Sequence, residues 1–436
     1  MSRVVKNCVL VILLANAVGY LSSGMATAET TLRLNLDKCV EMAVEVNIQV
    51  LQAGYDLDRA KNAVMISSSS LIPYLRFQST HSWFEQPYYR YIGDRSFLTD
   101  QAYNASLTVG ETITFDGIMG VFESSASKRA TEHYVKQVRQ DISFVAKQKY
   151  LEVLKAERLL GVREEAVDLS ERRLEKAEAL VEVGSAVRSD VLRARVEVSM
   201  NELELISARN DLRLAETDLR HFLELDDEVE LELEDNLEMG EVDFGLDAAI
   251  SEAMQLRPDI RSAGENLASV RHSVWRERGG WFPYIDLRWT DNYTSNKFPD
   301  KIVDLERAAD WSLYLTVGID LFDGLRTFGR VRDAKSMRKL VEKDLLQVEK
   351  DAALEVKQAF YSVEEARQRV KVSRETVSLA EEELRLAEER YRLGGGTMLE
   401  QIDSQVALSE ARTSHIEALY DYLISQAMLA KAMGKD

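Results

Sequence analysis

Histidine is the side chain best able to hold a metal or carry a proton near neutral pH, and the five in this chain are placed to do neither. His81, His133, His221, His272 and His415 are scattered, with no pair at the helical spacing that would present two imidazoles to one ion. No glycine loop leads into a Lys-Ser or Lys-Thr step that could cradle a phosphate, and no serine sits in a nucleophile elbow. The run Gly394, Gly395, Gly396 lies between two helical stretches and reads as a turn. Acid pairs are abundant, but they fall on helix faces that read as solvated. These patterns point to a protein that is not an enzyme and needs no metal or cofactor.

What such a chain could do depends on its elements, and the helices are unusually long. Only Pro73, Pro87, Pro258, Pro283 and Pro299 interrupt it. Between Gly324 and Gly394 there is no proline, and a continuous helix there would be ~100 Å long. Its apolar seam runs Leu345, Val348, Ala352, Val356, Ala359, Val363, Ala366, Val370, Ser373, Val377, Ala380, Leu384, Ala387, Tyr391, in three-and-four steps. That is the coiled-coil period. A matching seam, Val153, Ala156, Leu160, Val167, Ser170, Leu174, Ala177, Val181, lies earlier in the chain.

Four other segments alternate with period two: roughly 74–84, 101–115, 284–292 and 311–322. Tyr103, Ala105, Leu107 and Val109 share one face of the second. Trp311, Leu313, Leu315, Val317 and Ile319 share one face of the fourth. Strands of about 9–11 residues with one apolar and one polar face suit a membrane barrel. Aromatics crowd the strand ends, and the connections 85–100 and 293–310 read as long polar loops. Four strands cannot close a barrel, and an open edge in lipid leaves backbone groups unpaired. Closure must then come from other copies of the chain: three give twelve strands, whereas eight barely enclose side chains.

The chain is also written twice, at an offset of about 210 residues. LIPYLRF (71–77) returns as WFPYIDL (281–287), and VGETITFDG (109–117) returns as VGIDLFDG (317–324). VEVGSAVRSDVLRARV (181–196) returns as YRLGGGTMLEQIDSQV (391–406). The expected organisation is a first repeat at 29–225, an acidic linker at 226–245 and a second repeat at 246–436.

Residues 1–28 read as a signal peptide: Arg3 and Lys6, an apolar run, then small residues at 26–28. Removing them leaves Cys39 alone, which excludes an internal disulfide and suggests a small buried residue. The formal charge of −19 becomes two units more negative and argues against nucleic acid as a partner.

Together these features resemble the TolC-type outer membrane efflux protein family. The resemblance covers essentially the whole chain after residue 28. It rests on the duplication, on LDKCVEMAVEVN (36–47) and LDAAISEAMQLRPD (246–259) opening each half, on the Pro-led strands, the FDG turns and the Gly-containing helix tips. No one motif is specific; their order and double occurrence are. The resemblance implies a mainly α protein with a membrane β-barrel, a homotrimeric duct through the outer membrane and the periplasm. It also implies an inner-membrane transporter and a periplasmic adaptor as partners, in drug efflux or type I secretion. The competing expectation is an exported coiled-coil scaffold or adhesive stalk.

Aligned through Gly184 and Gly394, the resemblance places Glu400 and Asp403 at the family's constriction, where three copies would stack them into two acidic rings. It matches Tyr391 and Asp190 to the latch that holds inner and outer hairpins together. Gly184, Ser185, Gly394, Gly395 and Gly396 fall in the adaptor-docking tips, and Gly396 stands where a basic latch residue is expected. Leu107, Val109, Leu313, Leu315 and Val317 are the expected lipid-facing positions.

Overall fold

The computed structural model describes residues 31–92, 95–184, 187–235, 245–295 and 309–435. The expected signal peptide, residues 236–244 of the linker, Ser185 and the stretch 296–308 lie outside the described residues.

Each half opens with a broken helix. In the first, α1 (Leu36–Val46) and α2 (Ile48–Ser69) meet at Asn47, whose side chain caps α2 through the Gln49 amide at 2.9 Å. In the second, α5 (Leu246–Leu256) and α6 (Pro258–Arg278) meet at Arg257. Here Pro258 at the first helical position supplies the break, since it lacks an N–H and constrains its predecessor to extended backbone.

Two hairpins of long helices follow. The first pairs α3 (Phe115–Glu182, 68 residues) with α4 (Arg188–Phe222). The second pairs α7 (Arg326–Arg392, 67 residues) with α8 (Met398–Ala432). Both long members are ~100 Å. The expected α7 seam is the packed one: Ala352, Val356, Ala359, Val363, Ala366, Ser373, Ala380 and Ala387 are buried. Alanine and serine at these steps let helix axes approach closely, which bulky side chains would prevent.

The strands form one antiparallel sheet in the order β2-β3-β5-β6, from β2 (Tyr74–Ile92), β3 (Arg95–Ile113), β5 (Tyr284–Ser295) and β6 (Ala309–Gly318). A separate parallel pair joins β1 (Thr31–Leu34) to β4 (Glu230–Leu233), so the inter-repeat linker is stitched to the start of the fold. Tyr150 of α3 lies beneath this pair, fully buried, its hydroxyl 3.0 Å from the Leu34 carbonyl and 2.8 Å from that of Glu234. Cys39 packs in the same core at 0% exposure, and burial pushes its thiol up to about 12.

Three expectations are corrected. Residues 85–100 are not a polar loop: β2 and β3 pair out to Ile92 and Arg95. The alternation is lost there because the register shifts between Trp83 and Tyr88, where Pro87 would interrupt a regular ladder. The strand expected at 101–115 ends at Ile113, because Thr114 caps α3 by accepting from the Gly117 amide at 3.1 Å. Phe115, Asp116 and Gly117 thus begin a helix. In the second copy Phe322, Asp323 and Gly324 form a turn ahead of α7, with the Asp323 carboxylate accepting from the Thr327 amide at 2.7 Å. Gly324 and Leu325 there both have left-handed backbone (φ +70° and +69°), and Ile319 lies beyond the strand, which stops at Gly318.

Candidate functional site: the helix tips and the two-faced sheet

The far ends of both hairpins come together. Ala177 of α3, Ala194 of α4 and Met398 of α8 are buried in one cluster, with Leu174, Val191, Ile402 and Tyr391 packed around it. All four long helices contribute, so the tips of the two repeats are held by a single apolar plug.

Tyr391 belongs to that plug, and burial together with the nearby Asp190 carboxylate raises its hydroxyl above the ordinary value. Among the described residues no hydrogen bond joins the two side chains. The Lys176 ammonium lies 5.7 Å from the Tyr391 ring centroid, a cation–π approach from the other hairpin. Tyr391 therefore packs in the plug with the Asp190 carboxylate nearby.

The turn geometry explains the glycines. Gly184 and Gly394 end their helices with φ of +75° and +78°, a backbone that L-residues with a Cβ resist. Gly395 and Gly396 both donate to the Arg390 carbonyl, at 2.9 and 3.1 Å. A Cβ on Gly396 would come within 3.0 Å of the Tyr391 nitrogen, so close backbone contact accounts for glycine at the position where a basic residue was expected.

Glu400 and Asp403 are exposed on the first turns of α8. Thr397 caps that helix, its hydroxyl accepting from the Glu400 amide at 3.2 Å. Among the described residues neither carboxylate has a hydrogen-bond or ion-pair partner. An acid in a first turn also complements the helix dipole, so Glu400 has a local role besides any at a constriction.

Sequence reasoning missed a charged layer above the plug. Arg173 of α3 donates to Glu197 of α4 at 2.7 Å, with side chains only 4% and 7% exposed. It also reaches Gln405 of α8 at 3.5 Å. The second carboxylate oxygen of Glu197 is buried without a hydrogen-bond partner among the described residues. Burial outweighs the pull of Arg173 and leaves this carboxyl above its usual range. Beside this layer an open groove of about 620 Å³ runs between α4 and α8, with Leu192, Val196, Met200, Leu399 and Val406 exposed along it.

The sheet at the opposite end has two distinct faces. Register places Leu75 beside Val109 and Phe77 beside Leu107. It places Ile285 beside Val317, Leu287 beside Leu315 and Trp289 beside Leu313. The five expected positions thus share one mainly apolar face spanning all four strands, which also carries Glu111 beside Leu287 and Asp291 beside Leu107. The opposite face carries Thr108, Thr112, Asp286, Arg288, Thr290 and Tyr314, with Thr112 donating to Asp286 at 2.8 Å. Both outer strands, β2 and β6, have one unpaired edge in this sheet.

The decisive comparison is with the outer membrane efflux protein family, which matches residues 39–223 and again 249–435. The chain belongs to this family. The match comes as two stretches, one in each half of the duplication. No curated protein sequence matches significantly. Solved structures show the same fold at low identity. A CusC structure described for transmembrane channel formation shares 18% identity and a TM-score of 0.79, covering 95% of this chain and 96% of that one. The Campylobacter jejuni CmeC outer membrane channel gives 17% and 0.78, with 95% and 90% covered. The open state of the Neisseria gonorrhoeae MtrE outer membrane channel gives 18% and 0.72, with 96% and 95% covered. This outer membrane efflux protein is accordingly a passive duct of the outer membrane that extends into the periplasm, and not an enzyme.

Proposed function

We propose that the protein is the exit duct of a tripartite envelope transporter, an efflux pump or a type I secretion system. Three copies join their sheets edge to edge into a twelve-stranded barrel, while the long helices wind into a periplasmic tunnel. The observation that carries this reading is the sheet: a mainly apolar face over four strands, a polar face behind it, and an unpaired edge on each side. An open edge is not tolerated in lipid, so lipid exposure of Leu107, Val109, Leu313, Leu315 and Val317 requires closure by neighbouring copies.

The domain plan keeps a signal peptide at 1–28, repeats at 29–225 and 246–436, and the acidic linker between them. Glu400 and Asp403 line the periplasmic constriction, and Tyr391 with Asp190 restrains its opening. A periplasmic adaptor docks at the tips around Gly184, Ser185 and Gly394 to Gly396, and an inner-membrane transporter supplies the energy and selects the cargo. The groove between α4 and α8 exposes Leu192, Val196, Met200, Leu399 and Val406, the apolar surface an adaptor helix would pack against. Electron microscopy of the detergent-purified protein tests the assembly. A three-fold tube ~100 Å or longer, capped by a detergent belt, is expected. A soluble rod with no belt would reject it.

A further inference from the structure

The junction between sheet and helices carries a local excess of positive charge. Residues 326–343, the first turns of α7, hold seven Lys or Arg and two acids, whereas 344–392 hold nine and twelve. Within a protein of net charge −19 this is a local reversal. It is also placed against the helix dipole, which favours acids at an N-terminal end.

Close packing sets the level of this basic stretch. A Cβ on Gly280 would come 2.4 Å from the Thr327 hydroxyl, and one on Gly279 would come 2.7 Å from Asp116. The end of α6 and the starts of α3 and α7 therefore meet in one layer, a few residues from Ile285 and Val317 on the apolar sheet face. From Thr327, Lys335 is ~12 Å along the helix. That distance is a headgroup layer of roughly 5–7 Å plus most of a Debye length. Alongside, α6 contributes Trp275, 46% exposed, with the Arg278 guanidinium 4.3 Å from its ring centroid. On α7, Arg332 lies 5.7 Å from the ring of Phe328, which is 51% exposed.

Three carboxylates of this layer are already engaged, while Asp116 and Asp333 have no ion-pair partner among the described residues, so the cations still outnumber the free acids. Glu123 and Glu277 pair with Arg276, and Asp323 accepts from the Thr327 amide beside Arg326. Arg278, Arg330, Arg332 and Lys335 have no ion-pair partner among the described residues. Unpaired cations backed by exposed aromatic rings, directly below an apolar band, match a membrane interface whose phosphates are negative.

We propose that Arg278, Arg330, Arg332 and Lys335, framed by Trp275 and Phe328, form a collar that binds the phosphate headgroups of anionic phospholipid in the periplasmic leaflet of the outer membrane. The collar rests on the reading of the apolar sheet face as lipid-exposed. It anchors the junction where rigid helices meet the barrel, and sets the depth at which the barrel sits.

The test reconstitutes the full-length protein in vesicles of phosphatidylcholine alone or mixed with phosphatidylglycerol, then measures the lipid retained on detergent extraction. Several-fold enrichment of phosphatidylglycerol is expected, weakened by molar salt. It should be lost in the triple variant Arg330→Gln, Arg332→Gln, Lys335→Gln. It should persist in the charge-matched control Lys350→Gln, Lys357→Gln, Lys371→Gln, further down the same helix. Integration without enrichment, or equal loss in both variants, would overturn the collar alone. Wild-type protein that integrates into neither vesicle would overturn the lipid-exposed face and the collar with it. Loss of assembly in the triple variant, with no lipid preference in the wild type, would reject the lipid and assign these cations to a protein partner.

Discussion

Arg173 and Glu197 lie 2.7 Å apart across the first hairpin, both more than nine-tenths buried, one layer above the plug that joins all four helix tips. A buried pair like this is weak evidence for stability, since desolvation offsets much of the attraction. Its value here is positional: Arg173 also reaches Gln405, so one guanidinium ties α3 to both α4 and α8.

Removing either partner of this pair should therefore destabilise the tips. Arg173→Met strands a buried carboxylate and is expected to destabilise by about 3–5 kcal/mol. Glu197→Gln keeps an acceptor but strands the buried Arg173 cation and is also expected to destabilise. The pH dependence has a definite sign. Glu197 is already raised by burial, and losing its cation raises it further. A folded-state value above the unfolded one gives stability that is present at low pH and lost as pH rises through the folded value. The Arg173→Met protein should thus melt closer to wild type at pH 5 than at pH 8. A pH-independent gap would contradict this.

The two faces of β6 should respond oppositely to charge. Leu315→Arg is expected to cost about 2–4 kcal/mol if it meets the bilayer midplane, and to deplete assembled trimer in the membrane. Tyr314→Arg, on the polar face, should assemble nearly normally. Heat-modifiable migration on gels reads both, and equal behaviour would remove the lipid-facing assignment.

At the tips, Tyr391→Phe separates hydroxyl from ring. Planar-bilayer recordings should show a higher open probability for Tyr391→Phe and for Asp190→Asn if the pair restrains opening. Should only Tyr391→Ala open the duct, the ring's place in the Ala177, Ala194 and Met398 plug would be the restraint.

Replacing Glu400 and Asp403 by Ala should reduce cation selectivity, read as a reversal potential closer to zero in a salt gradient. Trimer melting should stay near wild type, because neither carboxylate has a partner in the described fold. Unchanged selectivity would take both residues out of the constriction.

Periodicity made much of this architecture legible before any coordinates. The α7 seam and the two-faced strands follow from three-and-four or two-residue spacing, and spacing is a local property of the chain, while the burial of Cys39 followed from its being the lone cysteine after the signal peptide. The duplication told that each half repeats one plan, yet not that the copies differ in detail. Thr114 turns the first FDG into a helix start. The second copy has no such cap and makes a turn at Asp323 instead. The extended β2–β3 hairpin escaped notice because one register shift near Pro87 breaks the alternation on which strand recognition depends.

The contacts between distant segments were decided by packing alone. Arg173 and Gln405 are 232 positions apart, and Leu34 and Tyr150 are 116 apart. No spacing rule connects such pairs. Burial determines which charges lose water and must find each other, and burial exists only once the helices have packed. The chain's own pattern therefore specifies the parts and their faces, whereas the shared plug at the tips and the charged layer above it arise from how two copies of one plan close on each other.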